Sequence, residues 1–93
     1  MYTISYTHEF KKQAKLAQKR GLNMELLNVA VKILEATGTL PVDRYKTHVL
    51  KGKYNGLWEA HLQPDWLLVW NAGKNRINIV LTHTGTHSDL FKK

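Results

Sequence analysis

The chain has 93 residues and not one cysteine. Disulfides and thiolate metal sites are therefore excluded. Only two prolines interrupt it, Pro41 and Pro64, so long stretches are free to form regular structure. No apolar run approaches the ~20 residues that a membrane-spanning helix needs. The start, Met1-Tyr2-Thr3-Ile4-Ser5-Tyr6, lacks the basic-then-apolar layout of a secretory signal. The expected compartment is cytoplasmic, with no membrane partner. Acidic residues are scarce as well. Seven Asp and Glu stand against fourteen Lys and Arg, a formal net charge of +7. Such a field attracts polyanions: nucleic acid, an anionic membrane surface or an acidic protein. A basic surface with no specific ligand has the same composition.

What is present suffices for a small core. Hydrophobic residues make up 43% of the chain, including three Trp, four Tyr and two Phe. No repeat or low-complexity linker divides it, so residues 1–93 are read as one domain. Tyr2, Ile4 and Tyr6 alternate with polar residues, which predicts a first strand. Thr7 is a candidate cap for a helix from His8 to Arg20, stopped at Gly21. Asn23 is placed to cap a second helix, Met24 to Ala36, with Leu27, Ala30, Val31 and Leu34 at helical spacing. The two helices are expected to form an antiparallel hairpin.

After Pro41 the pattern changes. Val42 to Lys53 reads as an irregular basic loop. Leu57 to Leu62 and Trp66 to Asn71 read as strands joined by a Gln63-Pro64-Asp65 turn. A second turn at Ala72-Gly73-Lys74-Asn75 leads into a strand from Arg76 to His83, and Thr86 to Phe91 forms a short tail or helical turn. The order β-α-α-β-β-β predicts an α/β (α+β) fold, with the helical hairpin packed on one face of a single sheet.

Four of the five histidines follow residue 47: His48, His61, His83 and His87. Histidine serves as acid or base near neutral pH. RNA cleavage without a metal needs such groups: one removes the ribose 2′-hydroxyl proton, another protonates the leaving 5′-oxygen, and cations offset the charge at phosphorus. His61 lies four residues before Asp65 across a turn, close enough for the carboxylate to orient the ring and raise its pKa. The plainer reading is a turn aspartate beside a solvated strand histidine. His87 sits in Thr84-Gly85-Thr86-His87-Ser88-Asp89-Leu90-Phe91, where hydroxyls and amides are able to meet a phosphate; a strand end followed by a capped turn has the same pattern. His83, two residues from Leu81 on an alternating strand, is expected on the apolar face. His8 is read as solvated. There is no His-Glu-x-x-His and no histidine pair on one helix, so no metal ligands and no cofactor are expected. Of Trp58, Trp66 and Trp70, Trp66 beside the turn is the one expected to be partly exposed, where its ring would stack on a base. Phe91 reads either as a plug that pins the tail or as a second stacking platform. Arg44, Lys46, Lys51 and Lys53 interleave with Tyr45 and His48, a composition suited to a phosphate backbone.

Four segments carry a resemblance: Lys15-Leu16-Ala17-Gln18-Lys19-Arg20, His48-Val49-Leu50-Lys51-Gly52, Ala60-His61-Leu62-Gln63-Pro64-Asp65-Trp66-Leu67-Leu68 and Thr84 to Phe91. Together they resemble the YafQ-type toxins of the RelE/ParE superfamily, in order and over nearly the whole chain. The resemblance implies a RelE-like fold and an endoribonuclease that cleaves messenger RNA in the A site of the 70S ribosome. It also implies a cognate antitoxin, whose acidic segment would wrap the toxin. The implied site is His48, His61, Asp65, Trp66, His87 and Phe91. On this reading His87 is the general acid, His48 or His61 the base, Asp65 the residue that holds one of them, and Lys51 and Lys53 the phosphate cations. His83 is a departure, standing where such toxins often carry arginine. Two other readings stay open. One is a non-catalytic RelE/ParE-like module acting on another target such as DNA gyrase. The other is a basic domain whose only ligand is an acidic partner.

Overall fold

The computed structural model describes residues 1–72 and 77–91. Strand β1 (Thr3–Tyr6) leads into helix α1 (His8–Lys19), whose cap is Thr7, its side chain accepting from the Phe10 amide. Helix α2 (Met24–Thr37) is capped by Asn23, which accepts from the Glu25 amide. It ends at Gly38, which adopts φ 83°. That left-handed backbone favours glycine, and a Cβ there would also lie 2.5 Å from the Tyr2 ring.

The expected loop after Pro41 is more ordered than its composition implied. It holds a helical turn, α3 (Val42–Tyr45), a two-residue strand β2 (His48–Val49) and a 3-10 turn at Gly52–Tyr54. Tyr45 and Thr47 are buried, so alternate residues anchor this segment while its cations face outward. Strands β3 (Trp58–Gln63), β4 (Trp66–Asn71) and β5 (Asn78–Gly85) follow, then the short helix α4 (His87–Leu90). Residues 73–76 of the expected second turn and of the start of the last strand lie outside the described residues.

The fold is mixed α/β, as expected, with β2 adding an edge. The five strands run in the order β1-β5-β4-β3-β2. β1 pairs parallel with β5, and every other pairing is antiparallel. Both long helices cover one face of this sheet. Phe10 and Ala17 of α1 and Leu27, Ala30 and Leu34 of α2 share a core with Ala60, Trp66, Leu68, Trp70, Ile79 and Leu81. Period two then sends the intervening strand residues to the opposite face.

The opposite face carries the site. Directly opposed residues on paired strands share a face. His48 opposes Glu59, Glu59 opposes Val69 and Val69 opposes His83, which makes one row. His61, Leu67 and Gly85 make the next. The expectation for His83 is overturned here. A register shift between Val69 and Trp70 pairs Trp70 with Leu81 but Val69 with His83. Thr82 is the extra residue of this bulge, so His83 leaves the apolar face that Leu81 occupies. Among the described residues, no helix is long and apolar enough to cross a membrane.

Candidate active site

Three histidines converge where β2, β3 and α4 meet. The rings of His48 and His61 are 6.4 Å apart, those of His61 and His87 5.7 Å, and those of His87 and Phe91 6.5 Å. The row of rings thus runs from the sheet edge to the C-terminal helix.

Each end of the row is held by a carboxylate. Asp65 Oδ1 accepts from the His87 ring Nδ1 at 2.8 Å and from the His87 backbone N–H at 3.0 Å. The backbone bond first, and then the ring, hold the Asp65 carboxyl below its usual range. Since Nδ1 faces a carboxylate, it carries the proton, and Nε2 is the nitrogen left to act on a substrate. The sequence expectation paired Asp65 with His61 instead. The register shift between His61 and Gln63 and the turn that follows carry Asp65 to the edge where α4 begins.

The carboxylate beside His61 is Glu59. Its Oε1 lies 3.5 Å from His61 Nε2 and 3.3 Å from His48 Nε2. Glu59 is buried, with 6% of its side chain exposed. A buried carboxylate needs partners, and here the two imidazoles flank it. His48 is oriented from behind: its Nδ1 donates to the Lys46 carbonyl at 3.0 Å. A carbonyl only accepts, so that nitrogen carries the proton and Nε2 faces Glu59. Lys46 reaches this geometry with a left-handed backbone, φ 53°, a conformation uncommon outside glycine and found where a site constrains the chain. Sequence reasoning passed over Glu59. The signal was available: on a strand of period two, a residue two before His61 shares its face.

Trp66, expected to be partly exposed, is instead only 1% exposed. Its Nε1 donates to Thr84 Oγ1 at 2.9 Å, and that hydroxyl donates to the Leu67 carbonyl at 2.7 Å. Trp66 therefore braces β4 against β5 and presents no face for stacking. Phe91 is half-buried, edge-on to Tyr54 with centroids 5.2 Å apart. Its contact with Tyr54 pins the tail, and its ring borders that of His87 at 6.5 Å.

Arg44, Lys46, Lys51 and Lys53 are all exposed. Arg44 stacks over Tyr45, and Lys53 lies 5.9 Å from the Tyr54 ring centre. A hollow of about 310 Å³ lined by Arg44, Lys46, His61, Leu62, Gln63 and Pro64 adjoins the imidazole row. His8 is exposed on α1, as expected.

The same cluster has a second capacity. One ligand atom each from Glu59, His61 and His87 lie within 4.8 Å of one another. Two imidazoles and a carboxylate suit zinc or copper, with a position left open. Sequence reasoning expected no metal ligands, because Glu59 and His61 on β3 and His87 on α4 form no His-Glu-x-x-His and no histidine pair on one helix.

Comparison with known proteins bears on what this arrangement is for. The chain is 37% identical over 89 residues to the mRNA interferase toxin YafQ of Escherichia coli K12, covering 95% of this chain and 94% of that one. The crystal structure of the E. coli DinJ–YafQ complex contains a similar fold, with a TM-score of 0.84 at 36% identity over 98% of this chain and 99% of that one. A metal-bound toxin from Helicobacter pylori matches with a TM-score of 0.86 at 37% identity, over 98% of this chain and 100% of that one. Residues 2–92 match the family model described as the bacterial toxin of type II toxin–antitoxin systems, YafQ. The chain belongs to the YafQ family of bacterial toxins.

Proposed function

We propose that this chain is an mRNA interferase of a toxin–antitoxin system that cuts messenger RNA in the ribosomal A site by side-chain acid–base chemistry, with no resident cofactor. Its E. coli relative carries the name mRNA interferase, and the observation that carries the chemical reading is the His87–Asp65 pair facing the His61–Glu59–His48 group. One group gives a proton and the other takes one, which is what transesterification of RNA requires.

His61, whose Nε2 faces Glu59, takes the proton of the ribose 2′-hydroxyl at its other ring nitrogen, Nδ1, and the resulting imidazolium is stabilised by Glu59, with His48 on the far side of that carboxylate. The 2′-oxygen attacks phosphorus. His87 acts as the imidazolium, its Nδ1 proton held by Asp65, and delivers the second proton from Nε2 to the 5′-oxygen as the P–O5′ bond breaks, leaving a 2′,3′-cyclic phosphate, a 5′-hydroxyl and a neutral ring. Asp65 keeps the His87 ring in the tautomer and orientation this needs. Phe91 places the base beside the scissile bond. Lys51, Lys53, Lys46 and Arg44 neutralise phosphate charge. Trp66 contributes through the core rather than by touching RNA.

The partner is a cognate antitoxin with an acidic segment, as the net charge of +7 favours and as the DinJ–YafQ pairing of the relative illustrates. Toxin, ribosome and antitoxin would meet in the cytoplasm. Inducing the chain in bacteria and mapping mRNA 5′ ends tests the reading. Codon-phased cuts are expected from the parent and none from His87→Ala, which should still fold and bind antitoxin. Growth arrest without cuts, or signs of DNA damage, would point to a binding module acting on another target.

A further inference from the structure

α4 carries both His87 and Phe91, yet it is a single turn of four residues, and so short a helix has no stability of its own. Its position depends on what grips it. Thr86 and Asp89 form a capping box at its start, the Thr86 hydroxyl accepting from the Asp89 amide at 3.0 Å and Asp89 Oδ2 from the Thr86 amide at 3.1 Å. Asp65 holds His87. Tyr54 packs edge-on to Phe91, and its hydroxyl donates to the Leu90 carbonyl at 3.4 Å.

A further grip comes from the helical layer. Arg20, at the C-terminus of α1, donates to Asp89 Oδ2 at 2.7 Å and to Oδ1 at 3.5 Å. The pair closes over a hollow of about 260 Å³ whose lining includes Leu16, Ala17, Leu22, Thr84 and Gly85. On this flank α4 rests on an ion pair over open space instead of on packed side chains. Asp89 Oδ2 serves both Arg20 and the Thr86 amide, so the rotamer that caps α4 is the one the guanidinium fixes. Arg20 also holds the Asp89 carboxyl down at about 2, so the pair stays ionised near neutral pH.

The geometry points to Arg20 as a positioning residue for the reaction: by fixing Asp89 it holds α4 so that His87 stays against Asp65 and Phe91 stays beside the imidazole row. This role rests on the reading of His87 as proton donor. It assigns Arg20 a task at a distance, since the guanidinium lies on the α1 side of α4 and donates to Asp89 instead of to the imidazole row.

The test compares Arg20→Ala and Arg20→Lys with the parent in two measurements. One is mRNA cleavage on ribosomes. The other is the imidazole ¹⁵N NMR of His87, which reports the Nδ1–Asp65 bond without any substrate. Arg20→Ala is expected to lower kcat by about ten- to a hundredfold with KM little changed, as a displaced catalytic group does, and to shift the His87 resonances. Arg20→Lys restores part of both, because it returns the charge without the two-pronged geometry. If Arg20→Ala does not fold, Asp89→Asn, which keeps a cap acceptor and removes the charge, takes its place in both measurements. Unchanged His87 resonances in the folded variant overturn the proposal, and so does an unchanged kcat. Shifted resonances together with a parent that cuts no RNA support the positioning role and defeat the RNA-cleavage reading instead.

Discussion

Replacing Trp66 by Phe decides whether this residue serves the core or the RNA. The indole is 1% exposed, packed in the cluster with Leu68, Trp70 and Thr84's hydroxyl at 2.9 Å from Nε1. Phe removes that hydrogen bond, a loss of about 1 kcal/mol. It also leaves a void where part of the indole was, which costs about 1–2 kcal/mol more. Thr84 keeps its bond to the Leu67 carbonyl, so no donor is stranded. The sum is about 2–3 kcal/mol. In a chain of this size each kcal/mol lowers the thermal midpoint by about 4–8 °C, which predicts a fall of about 10–20 °C by circular dichroism. Cleavage per folded molecule, assayed well below that midpoint, should remain near the parent value. An unchanged midpoint with lost cleavage refutes the reasoning and makes Trp66 a substrate contact.

The remaining predictions concern the carboxylates. Asp65, held below its ordinary range by His87, stabilises the docking of α4 at pH values above that range, and the contribution is lost as pH falls through the depressed value. Asp65→Asn should flatten that acid-side loss in denaturation curves and slow cleavage by about 10²-fold or more, the usual worth of a positioned proton donor; a parent and a variant with the same acid-side profile would contradict this. Zinc added to the purified toxin should inhibit cleavage by occupying Glu59, His61 and His87, with Glu59→Gln less sensitive, while a chelator leaves the parent active. Loss of activity on chelation would mean that the ion takes part in the reaction.

The longer elements of the fold were legible because they are announced locally. Thr7 and Asn23 cap their helices as their side-chain chemistry predicts, period two marks β1 and β3, and a continuous apolar run marks β4. Of the residues singled out in sequence, His48, His61, Asp65, His87 and Phe91 gather on one edge of one face. Their pairing was not legible. Asp65 meets His87 across 22 positions, and nothing local encodes that. The bulges at His61/Gln63 and Val69/Trp70 change which neighbours share a face, so His83 and Asp65 both land away from where simple alternation sends them. Glu59 was hidden in plain alternation, overshadowed by the turn aspartate nearer the eye. β2 was too short to announce itself, and Trp66 beside a turn looked exposed until the sheet covered it.

The central claim is attack by the ribose 2′-hydroxyl, driven by the opposed histidine–carboxylate groups. Its most direct test is cleavage by the purified toxin, on programmed 70S ribosomes, of an mRNA carrying a single 2′-deoxy nucleotide at the mapped scissile position. The account predicts no cut at that position and a 2′,3′-cyclic phosphate end on the unmodified control. A cut of equal rate at the deoxy position would contradict it.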